Sequence, residues 1–378
     1  MRILHIAESL VGGPASYLEE ALPYQSQVFG AQNVILLAPK EHVSYLPDDI
    51  CSIEVFPRSG RDARSFLALA SAIRRVTSQH RPHIVHLHSS FAGAIGRLML
   101  PIVWPSAKVV YCAHCWSFDR DPWTPFTRGW RMVERMLLPV TDLVVNVSLH
   151  ERALLLGAGL PTRKLATVVS GLSDIEPTAR PPNRDTNGAP LRLLFLGRMD
   201  EQKGIDLLFR EIAHIPPTRA VLTVAGTPVI DGRSDSIPPH VKFLGWTPRT
   251  RIPALIAASD AVVMPSRWEG MPLAALEAMR SARPLIASNR GPFVHIVEHG
   301  INGFLVDIDR PGFLREALEE IEAADLARLG AAARSTFTAK FSALRMNEAL
   351  VDCYLRLAEA SAPVTSADRL GPVVPRGS

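Results

Sequence analysis

Pro265-Ser266-Arg267-Trp268-Glu269-Gly270-Met271-Pro272-Leu273-Ala274-Ala275-Leu276-Glu277-Ala278-Met279 reads as a loop and the helix after it. The apolar run Ala261 to Met264 just ahead predicts a buried strand, and Pro272 sits where the first helical turn should begin, a place its fixed φ suits. Glu269 then falls in the loop and Glu277 about one and a half turns into the helix. Two carboxylates so placed can accept hydrogen bonds from different hydroxyls of one extended ligand, while amides at the helix start meet a phosphate. The plain alternative is a Glu277 that only caps or solubilises its helix.

Working outward, strand and helix patterns alternate through the chain. Strands are expected near Ile3 to Ala7, Val34 to Ala38, Ile84 to Leu87, Val109 to Ala113 and Leu143 to Val147. A helix over Ala63 to Ser78 is expected to bury Phe66, Ala70, Ile73 and Val76. The pattern stops over Asp174 to Pro190, where Pro177, Pro181, Pro182, Asn183, Asp185, Asn187, Gly188 and Pro190 make the best linker. It resumes with strands at Leu191 to Leu196, Val221 to Ala225, Val241 to Leu244, Ala261 to Met264 and Pro284 to Ala287. Alternation of this kind implies parallel sheets with right-handed crossovers. The fold class is therefore α/β, with two Rossmann-like doubly wound domains, residues 1–173 and 191–345, facing a cleft where open sheets bind ligands. A helix over 346–360 would pack back towards the first domain. The tail, 361–378, ends in Val374-Pro375-Arg376-Gly377-Ser378, which resembles a protease-cleavage remnant.

Length supports the division, because 378 residues exceed the roughly 250 to 300 at which single cores stop growing. With 47% apolar and 21% charged residues the composition is that of a globular protein. The longest apolar run, Phe91 to Trp104, carries Arg97 in its middle, so no membrane span is expected, and no signal peptide either. That makes a cytoplasmic location the expectation. The net charge of +4 and pI of about 9.0 leave room for a basic face but do not call for nucleic acid. Cys112 and Cys115 have metal-ligand spacing around His114, yet no second pair lies nearby and a buried strand is the better reading.

Two further segments bear on chemistry. Gly12-Gly13-Pro14 comes after the first strand and opens a helix, which lets backbone amides approach a phosphate or sugar oxygen; a plain tight turn is equally compatible. Neither a Gly-x-Gly-x-x-Gly fingerprint nor a Walker loop occurs, which counts against nicotinamide or ATP chemistry. After Leu191 to Leu196, the stretch Gly197-Arg198-Met199-Asp200-Glu201-Gln202-Lys203-Gly204 places two cations at a strand-to-helix junction. A guanidinium and an ammonium converging there would neutralise a departing diphosphate.

These segments together resemble the retaining GT-B glycosyltransferases, in particular glycosyltransferase family 4. The likeness rests on the two glutamates with seven residues between them, on Gly197-Arg198 with Lys203-Gly204, on Pro265-Ser266 with Glu269-Gly270, and on Glu298-His299-Gly300-Ile301-Asn302-Gly303-Phe304-Leu305-Val306. It implies that Arg198 and Lys203 bind the donor diphosphate, that Glu269 with Gly270 holds donor-sugar hydroxyls, and that Glu277 holds the ribose. It implies that Met271 and Leu273 present amides to the sugar and distal phosphate, that Gly12 and Gly13 form the glycine loop, and that His114 reaches the sugar near the transfer point. His86-Leu87-His88-Ser89-Ser90 and His114-Cys115-Trp116-Ser117-Phe118 are similar to stretches of bacterial polysaccharide-assembly members. That similarity puts His88 and Ser89 on the acceptor side, although buried hydrogen-bonded imidazoles would look the same in sequence.

The implied activity is transfer of a hexosyl group from a nucleoside diphosphate sugar to a hydroxyl of a glycan acceptor, often lipid-linked, with no cofactor. Ser170-Gly171 stands where many relatives carry Asn-Gly, and Met271-Pro272 replaces the usual small glycine-rich stretch after the first Glu. Asp119-Arg120-Asp121 and Asp307-Ile308-Asp309 have the spacing of a metal-binding motif of another transferase fold, but neither comes after a mid-sheet strand, and no metal ligand is expected. From Trp116 to Arg135, Trp116, Phe118, Trp123, Phe126 and Trp130 interleave with Arg120, Arg128, Arg131 and Arg135. Such a mixture suits an anionic membrane surface, while Met132, Met136 and Leu137 offer a core-facing stripe that would make the helix ordinary packing. Two other readings fit the donor-binding residues, a nucleotide-sugar epimerase of the same shape and a non-catalytic sugar-nucleotide sensor.

Overall fold

In the computed structural model, which describes residues 1–45, 50–120, 124–176, 189–227, 237–238, 240–322 and 324–360, the described strands form two all-parallel sheets. Most of the expected linker and the whole tail lie outside those residues. The first sheet is built from β1 (Ile3–Ala7), β2 (Val34–Pro39), β3 (Ser52–Phe56), β4 (Ile84–His88), β5 (Lys108–Cys112), β6 (Leu143–Asn146) and β7 (Leu165–Thr167). Its order is β3-β2-β1-β4-β5-β6-β7. Helices α1 (Gly13–Phe29), α2 (Ala63–His80), α3 (Ser90–Val103), α4 (Pro125–Leu137) and α5 (Leu149–Gly157) cover its faces.

The second sheet repeats the plan. Strands β8 (Leu191–Leu196), β9 (Ala220–Ala225), β10 (Val241–Gly245), β11 (Ala261–Met264), β12 (Leu285–Ser288) and β13 (Gly303–Val306) run in the order β10-β9-β8-β11-β12-β13. Around them lie α6 (Ile205–Ile212), α7 (Ile252–Ala257), α8 (Leu273–Arg280), α9 (Phe293–Ile296), α10 (Phe313–Glu322) and α11 (Leu326–Lys340). Each sheet reverses its strand order once, between β1 and β4 and between β8 and β11, and crevices open at the carboxyl ends of such pairs. Both switch points give onto the space between the sheets.

The last helix, α12 (Ala343–Glu359), leaves the second domain and lies on α1. Met346, Leu350 and Tyr354 enter the core formed by one face of the first sheet with Leu18, Ala21 and Leu22 of α1. Burying such side chains is worth roughly 1.5–3 kcal/mol each, so the helix is held by apolar contact beyond its polar bond from Asn347 to the Glu20 carbonyl.

Three expectations change on contact with the fold. The buried stripe of α2 is Leu69, Ala72, Ile73, Val76 and Thr77; Phe66 and Ala70 are half-buried, with Phe66 stacked on Phe91 at 5.0 Å between ring centres. Trp116 and Phe118 precede α4 and are core residues, so they are not part of any surface aromatic set. On α4 itself Leu137 is buried but Met132 and Met136 face outward, because the helix docks through Thr127, Glu134 and Leu137 instead. The reason is Arg97. Buried in α3, it donates to Glu134 at 2.7 Å and to the Gly93 carbonyl at 2.9 Å and lies 3.8 Å above the Tyr111 ring. A buried charge needs its partner, and that demand fixes which side of α4 turns inward.

Candidate active site

The cleft is assembled from the loops at the carboxyl ends of the switch-point strands and of β5. After β1, Gly12 adopts φ +72, which leaves the backbone free to turn directly into α1, with Pro14 in its first turn. After β4 comes Ser89 and after β5 His114, with φ +77 and +62. Positive φ in non-glycine residues is uncommon and concentrates at binding sites, so the first domain holds both loops in tense conformations. Ser89 Oγ is buried without a hydrogen bond, and His114 lines a cavity of about 20 Å³ with Gly13, Tyr17, Val147, Ser170, Met271 and Leu273. That space suits a water molecule.

From the second domain, the β8 loop contributes Arg198 and Lys203 and the β11 loop Glu269 to Met271. Lys203 Nζ donates to Glu269 Oε1 at 2.6 Å, and Glu269 is buried. Arg198 donates to Gln202 Oε1 at 2.8 Å and stands 3.0 Å from Asp200 Oδ2. Both cations are thus neutralised by neighbours. Helix α8 makes its first backbone bond from Ala275 to the Pro272 carbonyl, and the amides before it are the orphan donors of a helix start. Glu277, on the same helix, is pushed up from the usual carboxylate range by burial, against the pull of Arg249 and Arg280. Arg249 stands 3.9 Å from it and also pairs with Glu19 of α1, which ties the two domains together.

Gly270 shows how closely the domains meet. A Cβ built there would lie 2.6 Å from the carbonyl carbon of His114, nearer still to its oxygen, and 3.0 Å from Glu151 Oε1. Only a glycine lets the β11 loop touch the His114 loop. Glu151 is itself buried; desolvation raises its carboxyl to about 8, while Oε2 accepts the Val147 amide and Oε1 has no partner. Beside it His150 bonds to Asp119 at 2.9 Å. Burial would lower that imidazole, but the Asp119 hydrogen bond and charge raise it. Arg120 closes this edge, 4.7 Å over the Trp268 ring and 3.5 Å from Glu201.

The sequence-derived residues Gly12, Gly13, His114, Arg198, Lys203, Glu269, Gly270, Met271, Leu273 and Glu277 therefore converge on one cleft. His88 does not reach it. It is fully buried with both ring nitrogens engaged, by His5 and by His114 at 2.9 Å each, so it acts on the cleft only through His114. Asp119 is committed to His150, Asp121 and Trp123 lie outside the described residues, and Asp309 pairs with Arg290 at 2.6 Å. Cys112 and Cys115 are unlinked, and burial raises both thiols well above their usual range. Among the described residues the one group spaced as metal ligands is His5, His86 and His88, whose ring nitrogens are already largely spent on hydrogen bonds.

His5, Gln25, Glu151, His150 and Arg249 were missed. A signal existed for the histidines: His86 and His88 alternate on one strand, so both face the same side, and His5 sits opposite His86 in parallel register.

Residues 190–323 match the family model described as glycosyl transferases group 1, and residues 11–174 the model of glycosyltransferase family 4. The chain is 28% identical over 322 residues to an uncharacterised 41.2 kDa protein in the cps region of Klebsiella pneumoniae, covering 82% of this chain and 87% of that one. It is 26% identical over 270 residues to the UDP-Gal:alpha-D-GlcNAc-diphosphoundecaprenol alpha-1,3-galactosyltransferase of Escherichia coli, covering 66% and 67%. The crystal structure of Anabaena HepE in complex with UDP superposes with a TM-score of 0.74 at 21% identity over 94% of this chain and all of that one, a likeness of fold.

Proposed function

The chain belongs to glycosyltransferase family 4 of the GT-B fold, and from that premise we propose that it transfers a hexosyl group, with retention, from a nucleoside diphosphate to a hydroxyl of a lipid-linked glycan. The observation that carries this reading is Lys203 held 2.6 Å from Glu269 beside the start of α8, a diphosphate-seeking cation next to a carboxylate suited to sugar hydroxyls. Donor entry exchanges that pair for ligand contacts. Arg198 and Lys203 take the diphosphate, the amides of Met271 and Leu273 the distal phosphate, Glu269 with Gly270 the sugar, and Glu277 the ribose. Gly12, Gly13 and His114 approach the sugar from the first domain.

A front-face displacement fits these residues, with no carboxylate placed as a covalent nucleophile in the reading. The bond from the anomeric carbon to the diphosphate breaks, the acceptor oxygen bonds on the same face, and its proton passes to the departing phosphate oxygen. Positioning and the two cations supply the stabilisation, so the reaction is proposed to run without a divalent metal and to persist in excess chelator.

The acceptor reading draws support from the relative whose name includes a diphosphoundecaprenol and from the outer face of the first domain. There Phe126, Met132 and Met136 of α4 and Leu98 and Ile102 of α3 are exposed, with Arg128 and Arg135 among them. No helix among the described residues is long and apolar enough to cross a membrane. Apolar side chains amid guanidinium groups match a surface of anionic lipid, on which the protein would dock reversibly.

The testing experiment is a thermal-shift screen of nucleoside diphosphates and their sugars, then product analysis with and without a glycan acceptor. Stabilisation by one base series and acceptor-dependent transfer are expected. Donor isomerisation without acceptor would replace the reading with an epimerase, and stabilisation without any turnover would replace it with a sensor.

A further inference from the structure

One face of the first sheet carries polar side chains where a core is expected to be apolar. His5, His86 and His88 lie there between the sheet and the helices α1 and α12, all fully buried. Three bonds join them to the cleft: Gln25 Oε1 to His5 Nε2 at 2.8 Å, His5 Nδ1 to His88 Nε2 at 2.9 Å, and His88 Nδ1 to His114 Nε2 at 2.9 Å. Successive rings are nearly parallel, 5.2 and 5.1 Å apart. His86 stands beside this line and bonds to Tyr354 of α12 at 2.6 Å.

A neutral imidazole has one N–H and one lone pair. In a chain where each ring bonds to the next, nitrogen to nitrogen, every bond uses one proton. All the N–H groups must therefore point the same way, towards Gln25 or away from it. The Gln25 amide oxygen at the end accepts, so His5 donates from Nε2, His88 donates to His5, and His114 donates from Nε2 to His88. What remains on His114 is the Nδ1 lone pair. We propose that Gln25, His5 and His88 are positioning residues which hold His114 in the Nε2–H tautomer and so present a hydrogen-bond acceptor to a hydroxyl of the donor sugar. This rests on the transferase reading for its substrate.

The neutrality the chain requires comes from its surroundings. Burial lowers His5 to about 4 and His114 to about 3, and burial with neighbouring imidazoles lowers His86 and His88 well below the usual value; no carboxylate contributes to any of the four. All four are uncharged at pH 7. The arrangement also explains why a histidine with a strained backbone can be held at one rotation: the ring is fixed from behind by a bond that has itself only one direction.

The test uses the full chain labelled with 15N in its histidine rings, and two-bond proton–nitrogen spectra, which separate protonated from bare ring nitrogens. In the wild type, His114 should show Nε2 protonated and Nδ1 bare. Gln25→Met removes the accepting oxygen at nearly equal size. An N–H pointed at the introduced thioether would be buried and unpaired, disfavoured by about tenfold to a hundredfold, so the whole chain reverses and Nδ1 of His114 becomes the protonated nitrogen. The value of kcat/KM for the sugar nucleotide should then fall by about tenfold to a hundredfold, since only the minority tautomer is competent. Affinity for the bare nucleoside diphosphate should stay as it was, because His114 faces the sugar. A wild-type His114 protonated at Nδ1 or at both nitrogens overturns the proposal, as does a Gln25→Met protein with an unchanged tautomer. Reversal without any change in sugar kinetics overturns the link to the substrate. The expected spectra in a protein that transfers no sugar would instead sink the transferase reading and leave the imidazole chain standing.

Discussion

Replacing Gly270 with Ala tests whether contact between the two domains assembles the site. The added Cβ would lie 2.6 Å from the His114 carbonyl carbon, against the roughly 3.5 to 4.0 Å at which two carbons rest, so the β11 loop and the His114 loop must separate by about 1 Å. The obstacle is backbone and has no rotamer to yield. Gly270 itself does not occupy the left-handed region, so Ala brings no local strain and each domain should fold as before. A misplacement of about 1 Å costs on the order of a hundredfold in rate, and kcat should fall by that amount. Nucleoside diphosphate affinity should change little, since Lys203, Arg198 and Glu277 all belong to the second domain. The assay is steady-state kinetics beside calorimetry with the bare diphosphate, with Gly157→Ala, whose Cβ meets nothing within 4 Å, as the matched control. A Gly270→Ala enzyme within about threefold of wild type would refute the closed arrangement as the working one.

Four other outcomes are expected. Arg198→Ala and Lys203→Ala should each lower turnover about a hundredfold or more in folded protein, and near-normal rates would remove them from the diphosphate. Glu277→Ala should weaken binding of the bare nucleoside diphosphate whereas Glu269→Ala mainly impairs transfer; equal losses by calorimetry would reject that division. Stability should fall below pH 6.5, because the unfolded chain takes protons that the buried imidazoles refuse: for His5 alone, lowered from 6.5 to about 4, the full loss is about 3 kcal/mol. Glu151, raised to about 8, works the opposite way between pH 4.5 and 8, as do Glu277 and His150, which are also raised, but the four buried histidines outweigh them, and a urea midpoint no lower at pH 5 than at pH 7 would contradict this. The protein should sediment with anionic but not neutral liposomes, less so at high salt, and an Arg128, Arg131, Arg135 triple Glu variant should lose the effect; equal sedimentation would leave α4 as plain surface.

Most of the repeating strand and helix order, the positions of Gly12, Arg198, Lys203 and Glu269 beyond strand ends, and the place of Glu277 on the helix that follows were legible in the amino-acid order. These are local properties: periodicity, proline at a helix start, glycine at a turn. Short or exposed elements were harder to see. Strand β3 carries only one buried residue and β7 spans three positions, so neither presents an apolar run long enough to notice. The facing of α4 depended on a buried charge thirty-seven positions away, Arg97 seeking Glu134, which no periodicity within the helix records.

How the cleft residues act on one another was settled by packing alone. Lys203 and Glu269 are 66 positions apart and become an ion pair because parallel strands β8 and β11 are neighbours at the switch point. His88 looked like a cleft residue and proved to be an internal one, since β4 is central and covered on that face by α1 and α12. The line from Gln25 through His5 and His88 to His114 draws on one helix, two strands and a loop. Its direction is a property of the closed chain of bonds, because an imidazole has only one proton to give, and no stretch of sequence contains all the partners that fix it.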